Sequence, residues 1–363
     1  MSKMFLGDVC LPESSNIAQK DLTDKGGQYP IYGASGLISH VNFYRQECEY
    51  IAVVKDGAGI GRVFLLPPYS SVIGTMQYIL PKPNIDVHYL YFAMQFMNLA
   101  KYYSGSTIPH IYFKNYKHEP IKLPSLEKQR EIADTLETIK QTEDNLNEQI
   151  THLDELVKSQ FVELFGDPVT NPKGWEVRTI GELATDVKYG TSAKADNKGK
   201  YKYLRMNNLT YDGGLDLSDL KYIDVSSNEL EKYVVRKGDI LFNRTNSTEL
   251  VGKTCLFDFD EDMIIAGYII RVRLGNNVSP VFFTRFMNLE HMKTQLRTMA
   301  KGAVNQANIN AQEMKSINVY LPPLALQNKF AAFVEQVDKS KFVVQNLAKI
   351  LKTYHNKKHQ HRM

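Results

Sequence analysis

Two glycine-containing turns have the residue types and spacing that come nearest to nucleotide chemistry. One is DGAGIG at 56–61, with glycines at alternate positions, and the other is VGKT at 251–254. A dinucleotide-binding fingerprint needs a helix directly after its glycines, because the phosphates bind at the helix N-terminus. The strand-like run RVFLL follows the first turn instead. We therefore interpret DGAGIG as a glycine-rich hairpin.

The VGKT turn resembles the end of a phosphate-binding loop. Such a loop needs a leading glycine and a following helix to hold ATP. Ser247 occupies the place of that glycine, and the sequence after Thr254 is strand-like. ATP binding is therefore disfavoured, although an enzyme acting through this turn stays open as an alternative.

Other catalytic and metal-binding patterns are missing from the sequence. It contains no HExxH pair, no acyl-transfer nucleophile motif, no Asn/Asp-Pro-Pro-aromatic tetrapeptide and no glycine-rich S-adenosylmethionine loop. Cys10, Cys48 and Cys255 form no CxxC pair, which argues against a disulfide framework or a Cys-rich zinc site. We expect neither a metal site nor a catalytic centre in this chain.

Composition places the chain among soluble globular proteins. At about 150 residues per domain, 363 residues predict two to three domains. Hydrophobic residues make up 43% and charged residues 23%, which excludes a disordered or fibrous protein. The net charge of +4 is compatible with a nucleic-acid partner but does not establish one. The longest apolar run, 263–270, is too short to span a bilayer, so we expect a cytoplasmic protein without a membrane partner.

The sequence contains an internal repeat with an offset of 198 residues. Each copy has a globular part, then an LP-x-L-x-x-Q opening, then a heptad pattern. We infer two copies of one structural plan. The matching segments are 121–146 with 319–344, 105–111 (GSTIPHI) with 302–309 (GAVNQANI), and 5–9 (FLGDV) with 179–183 (TIGEL).

Heptad spacing predicts a long helix in each copy. Apolar residues recur at alternating steps of three and four from Ile132 to Leu164 and from Phe330 to Leu351. Each series has one gap near its middle, and the first also has a step of seven between Val157 and Leu164. Proline does not interrupt 125–163 or 324–360. At about 1.5 Å per residue, each helix would be roughly 55 Å long.

The two helices are predicted to pair with each other as an antiparallel coiled coil. Residues 124–166 carry four basic and ten acidic side chains, whereas 321–363 carry eight basic and two acidic ones. Opposite charge and matching seams favour pairing over two separate solvated helices, which is the alternative. Glu143 and Lys341 fill the gaps at equivalent positions. We predict that they meet near a pseudo-twofold axis and fix the register.

The predicted fold class is therefore α+β, with two globular mixed α/β domains joined by two long antiparallel helices in a pseudo-twofold internal repeat. Each globular part mixes short strand-like runs and turns with a helical stretch, the second at 278–300. The four segments are 1–123, 124–166, 167–320 and 321–363.

This arrangement resembles the specificity subunit of type I restriction–modification enzymes over essentially the whole chain. The resemblance rests on the two LP-x-L-x-x-Q openings at 123–129 and 321–327, and on LFGDPVTNPKGWE at 164–176 after the first long helix. A G-[ST]-x-x-x-x-I motif, GSTIPHI, also precedes the first Leu-Pro, and the similar segment GAVNQANI precedes the second. The duplication of these motifs in the same order is more specific than any one of them.

The resemblance implies a non-catalytic, sequence-specific DNA-binding subunit. Target-recognition domains at 1–123 and 167–320 would each read one half of a split double-stranded DNA sequence. The helices would set the spacer length and dock two methyltransferase subunits. This chain would bind no cofactor, because S-adenosylmethionine would belong to the methyltransferase subunits, and ATP and Mg²⁺ to additional motor-nuclease subunits.

Candidate DNA contacts follow from the chemistry of recognition. Phosphates are bound by Lys, Arg and backbone N–H groups, and bases are read by Asn, Gln, Arg, Ser or Thr. Clusters of these residues are stronger hypotheses than their individual members. The candidates are Lys194, Lys198, Lys200, Lys202, Arg205, Asn207, Asn208, Arg244, Thr245, Asn246, Asn305 and Gln306 in the second domain, and, by repeat correspondence, Tyr32, Ser35, Lys55, Ser106, Thr107 and His110 in the first.

Two other interpretations stay open at this point. In a related system, methylation and cleavage are fused on one partner chain, and this sequence does not distinguish that case. A coiled-coil scaffold that binds only protein is the other interpretation. Its association would resist added salt, whereas DNA binding weakens as salt is raised.

Overall fold

The computed structural model describes residues 4–22, 26–105, 109–303 and 306–362. The chain forms two compact units, unit 1 (1–148 and 345–363) and unit 2 (149–344). Both contain small β-sheets and helices, which confirms the mixed α/β composition. The boundary between the units cuts both long helices, so each unit includes the start of one and the end of the other.

Unit 1 contains a four-stranded sheet of order β2-β8-β5-β6, a three-stranded sheet of order β4-β3-β7 and the two-stranded pair β1-β9. Its strands are β1 (Met4–Phe5), β2 (Cys10–Ser14), β3 (Tyr29–Gly33), β4 (Gly36–Val41), β5 (Tyr50–Val54), β6 (Val63–Leu66), β7 (Ser71–Val72), β8 (Met76–Pro81) and β9 (Pro120–Ile121). Its helices are α1 (Leu6–Val9), α2 (Val87–Phe96), α3 (Phe113–Tyr116) and the first part of α4 (Leu126–Phe165).

Strand β5 separates two hydrophobic cores in unit 1, because alternate side chains of a strand point to opposite faces. Ile51 and Val53 pack in one core, which also contains helix α2. Tyr50, Ala52 and Val54 pack in the other core. Ile132 and Leu136 of α4 belong to the first of these cores, so the long helix is anchored in the unit.

Unit 2 contains two four-stranded sheets, of order β11-β19-β15-β17 and β13-β12-β18-β14, the three-stranded sheet β16-β21-β20 and the pair β10-β22. Its strands are β10 (Glu176–Thr179), β11 (Ala184–Tyr189), β12 (Tyr201–Leu204), β13 (Lys221–Ile223), β14 (Val234–Val235), β15 (Ile240–Asn243), β16 (Thr245–Asn246), β17 (Thr254–Leu256), β18 (Met263–Ile265), β19 (Ile269–Leu274), β20 (Lys301–Ala303), β21 (Gln306–Asn308) and β22 (Asn318–Leu321). Its helices are α5 (Ile180–Leu183), α6 (Ser227–Tyr233), α7 (Pro280–Met287), α8 (Glu290–Met299), α9 (Ala311–Lys315) and the first part of α10 (Leu324–Arg362).

The helical stretch predicted at 278–300 is two helices, not one. Helix α7 ends at Met287, and α8 begins at Glu290. Asn288 Nδ2 donates to the carbonyl oxygens of Thr254 (2.8 Å) and Thr284 (2.9 Å). This side chain ties the end of α7 to strand β17, and the chain turns there.

The motif at 164–176 closes the C-terminal end of α4. Gly166 adopts a φ of +84°, in the left-handed region that favours glycine after a helix. Lys173 Nζ donates to the carbonyl oxygens of Glu163 (2.9 Å) and Leu164 (2.8 Å). Trp175 Nε1 donates to the carbonyl oxygen of Phe165 at 2.8 Å. The last carbonyl groups of the helix, which lack partners within it, are thereby satisfied.

Within unit 2, the end of α4 packs against the start of α10. The ring centroids of Phe161 and Phe330 are 5.4 Å apart. Lys341 Nζ donates to both carboxylate oxygens of Asp154 at 2.7 Å. The residue later on α10 meets the residue earlier on α4, so these two segments run in opposite directions. The coiled coil over the full helices stays a prediction.

The ion pair between Lys341 and Asp154 can be measured by a double-mutant cycle. The side chains of Lys341 and Asp154 are 17% and 38% exposed, so we expect the combination of Lys341→Met and Asp154→Asn to show a coupling of only about 0.5–1 kcal/mol. Urea unfolding of the single and double variants measures it. Absence of coupling would contradict the ion pair.

The predicted Glu143–Lys341 contact joins residues of different units and stays a prediction. A second double-mutant cycle, with Glu143→Gln and Lys341→Met and the same urea unfolding, tests this contact. A coupling above about 0.5 kcal/mol would support the Glu143–Lys341 contact, and absence of coupling would contradict it.

Candidate nucleic-acid interface

Strand pairing in unit 2 brings two of the predicted DNA-binding clusters together. Strand β16 pairs with β21, so that Thr245 lies opposite Asn308 and Asn246 opposite Ala307. Thr245 Oγ1 donates to Asn308 Oδ1 at 2.9 Å. The segments 244–246 and 306–308, which are about 60 residues apart in the chain, therefore form one surface.

Arg244 is held at this surface by contacts of both its backbone and its side chain. Its N–H donates to the carbonyl oxygen of Tyr268, and its carbonyl oxygen accepts from the N–H of Ile309, both at 2.9 Å. Its guanidinium carbon lies 4.9 Å from the ring centroid of Tyr189, a cation–π distance. Nη1 donates to the carbonyl oxygen of Gly267 at 3.4 Å, and Nε is buried. The remaining N–H groups of Nη1 and Nη2 are the ones that can donate to a base edge or a phosphate.

Tyr189 was not predicted from the sequence as part of this surface. Its hydroxyl oxygen accepts from the backbone N–H of Ala311 at 2.8 Å, at the start of α9. The ring that supports Arg244 is thereby fixed in place. Nothing in the sequence around Tyr189 distinguishes it from the other tyrosines.

Unit 1 contains a matching surface around Lys55. The N–H of Lys55 donates to the carbonyl oxygen of Thr75 at 2.9 Å, and the N–H of Ile111 donates to the carbonyl oxygen of Lys55 at 2.8 Å. Asp56 lies opposite His110, and the His110 Nδ1 to Asp56 Oδ1 distance is 2.6 Å. Lys55 and His110, both predicted from the sequence, are therefore neighbours.

The two surfaces share their backbone connections. Lys55 and Arg244 each accept from the isoleucine of a repeat pair, Ile111 and Ile309. The side-chain pair beside each of them differs. Asp56 with His110 occupies the place that Thr245 with Asn308 has in unit 2. These pairs present different donors and acceptors, and would suit different base pairs.

The two glycine-containing turns belong to structurally equivalent loops, one in each unit. We call residues 55–61 tip loop 1 and residues 244–252 tip loop 2. The N–H of Gly61 donates to the carbonyl oxygen of Val54 (2.8 Å), and that of Gly252 to the carbonyl oxygen of Asn243 (2.9 Å). Tip loop 1 joins β5 to β6, and tip loop 2 lies between β15 and β17.

The glycines that end the tip loops serve close packing. Gly61 and Gly252 have φ of +80° and +82°. A Cβ on Gly61 would lie 2.4 Å from the backbone nitrogen of Ala100, and one on Gly252 would lie 2.7 Å from Leu296 Cδ1. Each loop is thereby held close to a neighbouring helical segment, and these glycines are explained without a bound phosphate.

Lys253 of the VGKT turn does not face a phosphate site. Its ammonium group donates to the carbonyl oxygens of Met206 (2.9 Å) and Leu209 (2.5 Å). The side chain is buried, and burial lowers the pKa of this ammonium group. Lys253 therefore anchors the 206–209 turn beneath tip loop 2. An enzyme acting through VGKT has no support in these contacts.

The predicted cluster at 194–208 is only partly available for DNA. Lys202 pairs with Glu261 at 2.5 Å, and Arg205 pairs with Asp219 at 2.8 Å. The side chains of Lys194, Lys198, Lys200 and Asn207 are exposed.

The prediction that Asn208 contacts DNA is wrong. Its side chain is 2% exposed. Its Oδ1 accepts from the N–H of Arg205, and its Nδ2 donates to the carbonyl oxygens of Asp216 and Asp219. Asn208 therefore organises the turn instead of facing a groove.

The remaining predicted residues have mixed placements. Tyr32, on β3, is half-buried against the second core of unit 1, while Ser35 is exposed in the turn between β3 and β4. Gln306 is exposed on β21. Thr245 is largely buried, and Asn246 Nδ2 donates to Asn243 Oδ1 at 2.8 Å, so both residues shape tip loop 2. Ser106, Thr107 and Asn305 lie outside the described residues.

Two of the thiols are too deeply buried to act as nucleophiles. Burial raises the pKa of Cys10 and of Cys255 to about 12, whereas Cys48 is exposed.

We expect one thiol per native chain to react with a disulfide reagent at pH 8 within minutes, and three after denaturation. Rapid reaction of a second thiol in the native protein would contradict the burial of Cys10 or Cys255.

Within the described part of the chain, no group of three His, Cys, Asp or Glu side chains is arranged to hold a metal ion. The helices in the described ranges include none with the length and apolar character that a membrane crossing needs.

Comparison with known proteins identifies the family. A family model described as the type I restriction modification DNA specificity domain matches residues 1–153 and 172–352. The chain belongs to this family. The resemblance predicted from the duplicated motifs is therefore confirmed.

Curated members of the family match parts of this specificity-domain chain. The specificity subunit of the type I restriction enzyme MjaX of Methanocaldococcus jannaschii is 30% identical over 172 residues, covering 46% of this chain and 40% of that protein. The specificity subunit of the type I restriction enzyme EcoKI of Escherichia coli K12 is 24% identical over 250 residues, covering 64% of this chain and 54% of that protein. The chain thus spans about half the length of these two relatives.

Solved structures share the fold of this chain. The crystal structure of a type I restriction–modification system S subunit from M. genitalium has a TM-score of 0.64 and 16% identity, covering 98% of this chain and 94% of that chain. A structure from work on complex assembly and conformational transition of the type I R-M system has a TM-score of 0.54 and 16% identity, covering 100% of this chain and 98% of that chain.

Proposed function

We propose that this chain is the DNA-recognition subunit of a type I restriction–modification complex and that each unit reads one half of a bipartite target. The main support is the pair of tip loops. Lys55 and Arg244 have the same backbone connections, each next to a neighbouring segment with polar side chains. Because those side chains differ, the two half-sites are expected to differ in sequence.

The internal repeat supports this proposal through contacts near the ends of each recognition domain. Met4 pairs with Ile121 in unit 1, and Arg178 with Val319 in unit 2, which are equivalent pairs in the repeat. Gly7 packs against Lys117, as Gly181 packs against Lys315. We propose two copies of one recognition fold, at 1–123 and 167–320, each followed by a spacer helix at 124–166 or 321–363.

The long helices are proposed to set the spacer length between half-sites and to dock two methyltransferase subunits. Half-sites one helical turn apart are about 34–36 Å apart, and a helix of 40 residues is about 60 Å long, so the lengths are compatible. Exposed apolar side chains follow α10 at steps of four, three and four. Such a stripe is typical of a protein-docking face. Its members are Val343, Leu347, Ile350 and Tyr354.

In this proposal the chain is not catalytic and binds no cofactor. S-adenosylmethionine enters with the methyltransferase subunits. ATP and Mg²⁺ enter with motor-nuclease subunits that join the complex for restriction. A fused methyltransferase–nuclease partner would use the same chain in the same way.

Selection from a randomised duplex library tests the proposal. The protein, with its methyltransferase subunits, is expected to enrich a motif of two different halves separated by a fixed spacer. Affinity for that motif should fall steeply as salt is raised, because phosphate contacts release counterions. Enrichment of no motif, together with salt-insensitive protein association, would favour the scaffold interpretation.

A further inference from the structure

We infer that the glutamines of the two LP-x-L-x-x-Q openings, Gln129 and Gln327, are positioning residues that fix the tilt of each recognition domain on its own spacer helix. This inference rests on the proposed function. It adds a role for two residues that do not lie at the tip loops.

Gln129 connects the first turn of α4 to the N-terminal end of α2. Its side chain is 1% exposed. Oε1 accepts from the N–H of Asp86 at 2.9 Å, and Nε2 donates to the carbonyl oxygens of Pro124 (3.0 Å) and Asn84 (3.3 Å). Asp86 in turn caps α2 by accepting from the N–H of Tyr89. One side chain thus joins the cap of a domain helix to the start of the spacer helix.

Gln327 makes the same set of contacts in unit 2. Its side chain is 0% exposed. Oε1 accepts from the N–H of Ser279 at 2.8 Å, and Nε2 donates to the carbonyl oxygens of Pro322 (2.7 Å) and Asn277 (3.3 Å). Ser279 caps α7, as Asp86 caps α2. The arrangement therefore occurs twice, on different surrounding sequences.

The contacts require an amide of this length. Each site needs one acceptor for a backbone N–H and two donors for backbone carbonyl groups, and only the amide side chains provide both. Glutamate would place a second acceptor against the two carbonyl oxygens. Asparagine has the right groups, but its chain is one carbon shorter.

The consequence for recognition is geometric. A domain of about 120 residues has a radius of gyration of about 14 Å. A tilt of about 15° on its helix would move the tip loops by roughly 3.5 Å, close to the 3.4 Å rise of one base pair. A domain held only by apolar contacts of the helix, such as those of Ile132 and Leu136, can rock without detaching. The glutamine contacts restrict that movement.

Spacer selectivity provides the test. The motif enriched by the native complex is prepared with its spacer lengthened or shortened by one base pair, and affinities are measured for the native chain, Gln129→Met and Gln327→Met. We expect the native preference for one spacer to fall by at least about fivefold in each variant, with both half-site sequences unchanged. Gln141→Met and Gln336→Met, which change exposed glutamines on the same helices, should retain the native preference.

The conservative variants separate positioning from folding. Gln129→Asn and Gln327→Asn keep both hydrogen-bonding groups and should lie between the native chain and the methionine variants. They are also the fallback if a methionine variant does not fold. Folded variants that keep the native spacer preference would overturn the inference, as would a native complex with no spacer preference. A native complex that enriches no bipartite motif would instead overturn the proposed function.

Discussion

Replacement of Arg244 by alanine is expected to weaken recognition of one half-site by about 1–3 kcal/mol, which is roughly 5- to 150-fold in affinity, and to leave the other half-site unchanged. The backbone connections of tip loop 2 do not involve the guanidinium, so the loop should keep its shape. What is lost is the cation that stacks on Tyr189, together with the Nη1 hydrogen bond to the carbonyl oxygen of Gly267 at 3.4 Å. Affinity for targets with single substitutions in each half measures the effect.

Lys55→Ala is the matched variant in unit 1 and should affect the opposite half-site. Arg178→Ala is the control, because Arg178 is exposed and pairs with Glu176 and Glu182 away from the tip loop. If the Arg244→Ala variant bound every substituted target with the affinity of the native chain, that result would contradict the placement of Arg244 at the DNA.

Phe161→Ala is expected to lower the free energy of unfolding of unit 2 by about 3–5 kcal/mol. The ring is 0% exposed and lies between α4, α7 and α10, with ring centroids 5.6 Å from Phe282 and 5.4 Å from Phe330. Its removal leaves a cavity where three helices meet. Trp175, the single tryptophan, donates to the carbonyl oxygen of Phe165 and reports on this region by fluorescence during urea unfolding.

Phe342→Ala is the control for this experiment. Phe342 is on α10 and is 64% exposed, so the same change should cost less than about 1 kcal/mol. Equal effects of the two substitutions would contradict the packing of α4 on α10 within unit 2.

The parts of the fold that depend on local pattern could be predicted from the sequence. Steps of three and four between apolar residues predicted long helices where α4 and α10 lie. The strand after DGAGIG predicted a hairpin-like turn, and tip loop 1 is followed by β6. The heptad series nevertheless missed Phe161, because it stepped from Val157 directly to Leu164. In the structure, the buried face at the end of α4 continues through Phe161 and Phe165.

The parts of the fold that depend on contacts between distant segments could not be predicted from the sequence. Asn208 has the residue type of a base reader, but its amide is used by the carbonyl groups of Asp216 and Asp219. Lys202 is paired with Glu261, which is 59 residues away in the chain. Asn308 could have been predicted as a DNA-binding candidate, because the repeat offset of 198 residues makes it equivalent to His110. Asp56 and Tyr189 carry no comparable signal.

The tip loops also show why isolated motifs mislead. A glycine fingerprint and the end of a phosphate-binding loop occur at equivalent places because both loops must return to the sheet through a glycine of positive φ. The resemblance to nucleotide-binding sequences thus reflects a shared turn geometry. Because both resemblances to nucleotide-binding motifs occur at equivalent places in the repeat, they indicate that the fold requires a glycine there.

Exchange of residues 1–123 for the first recognition domain of another type I specificity subunit most directly tests whether the two domains read DNA independently. Methylated adenines mapped across the genome of cells carrying the hybrid complex provide the readout. We predict that one half of the methylated motif changes to that of the donor, while the other half and the spacer stay the same. A change in both halves, or an unchanged motif, would contradict independent recognition by the two domains.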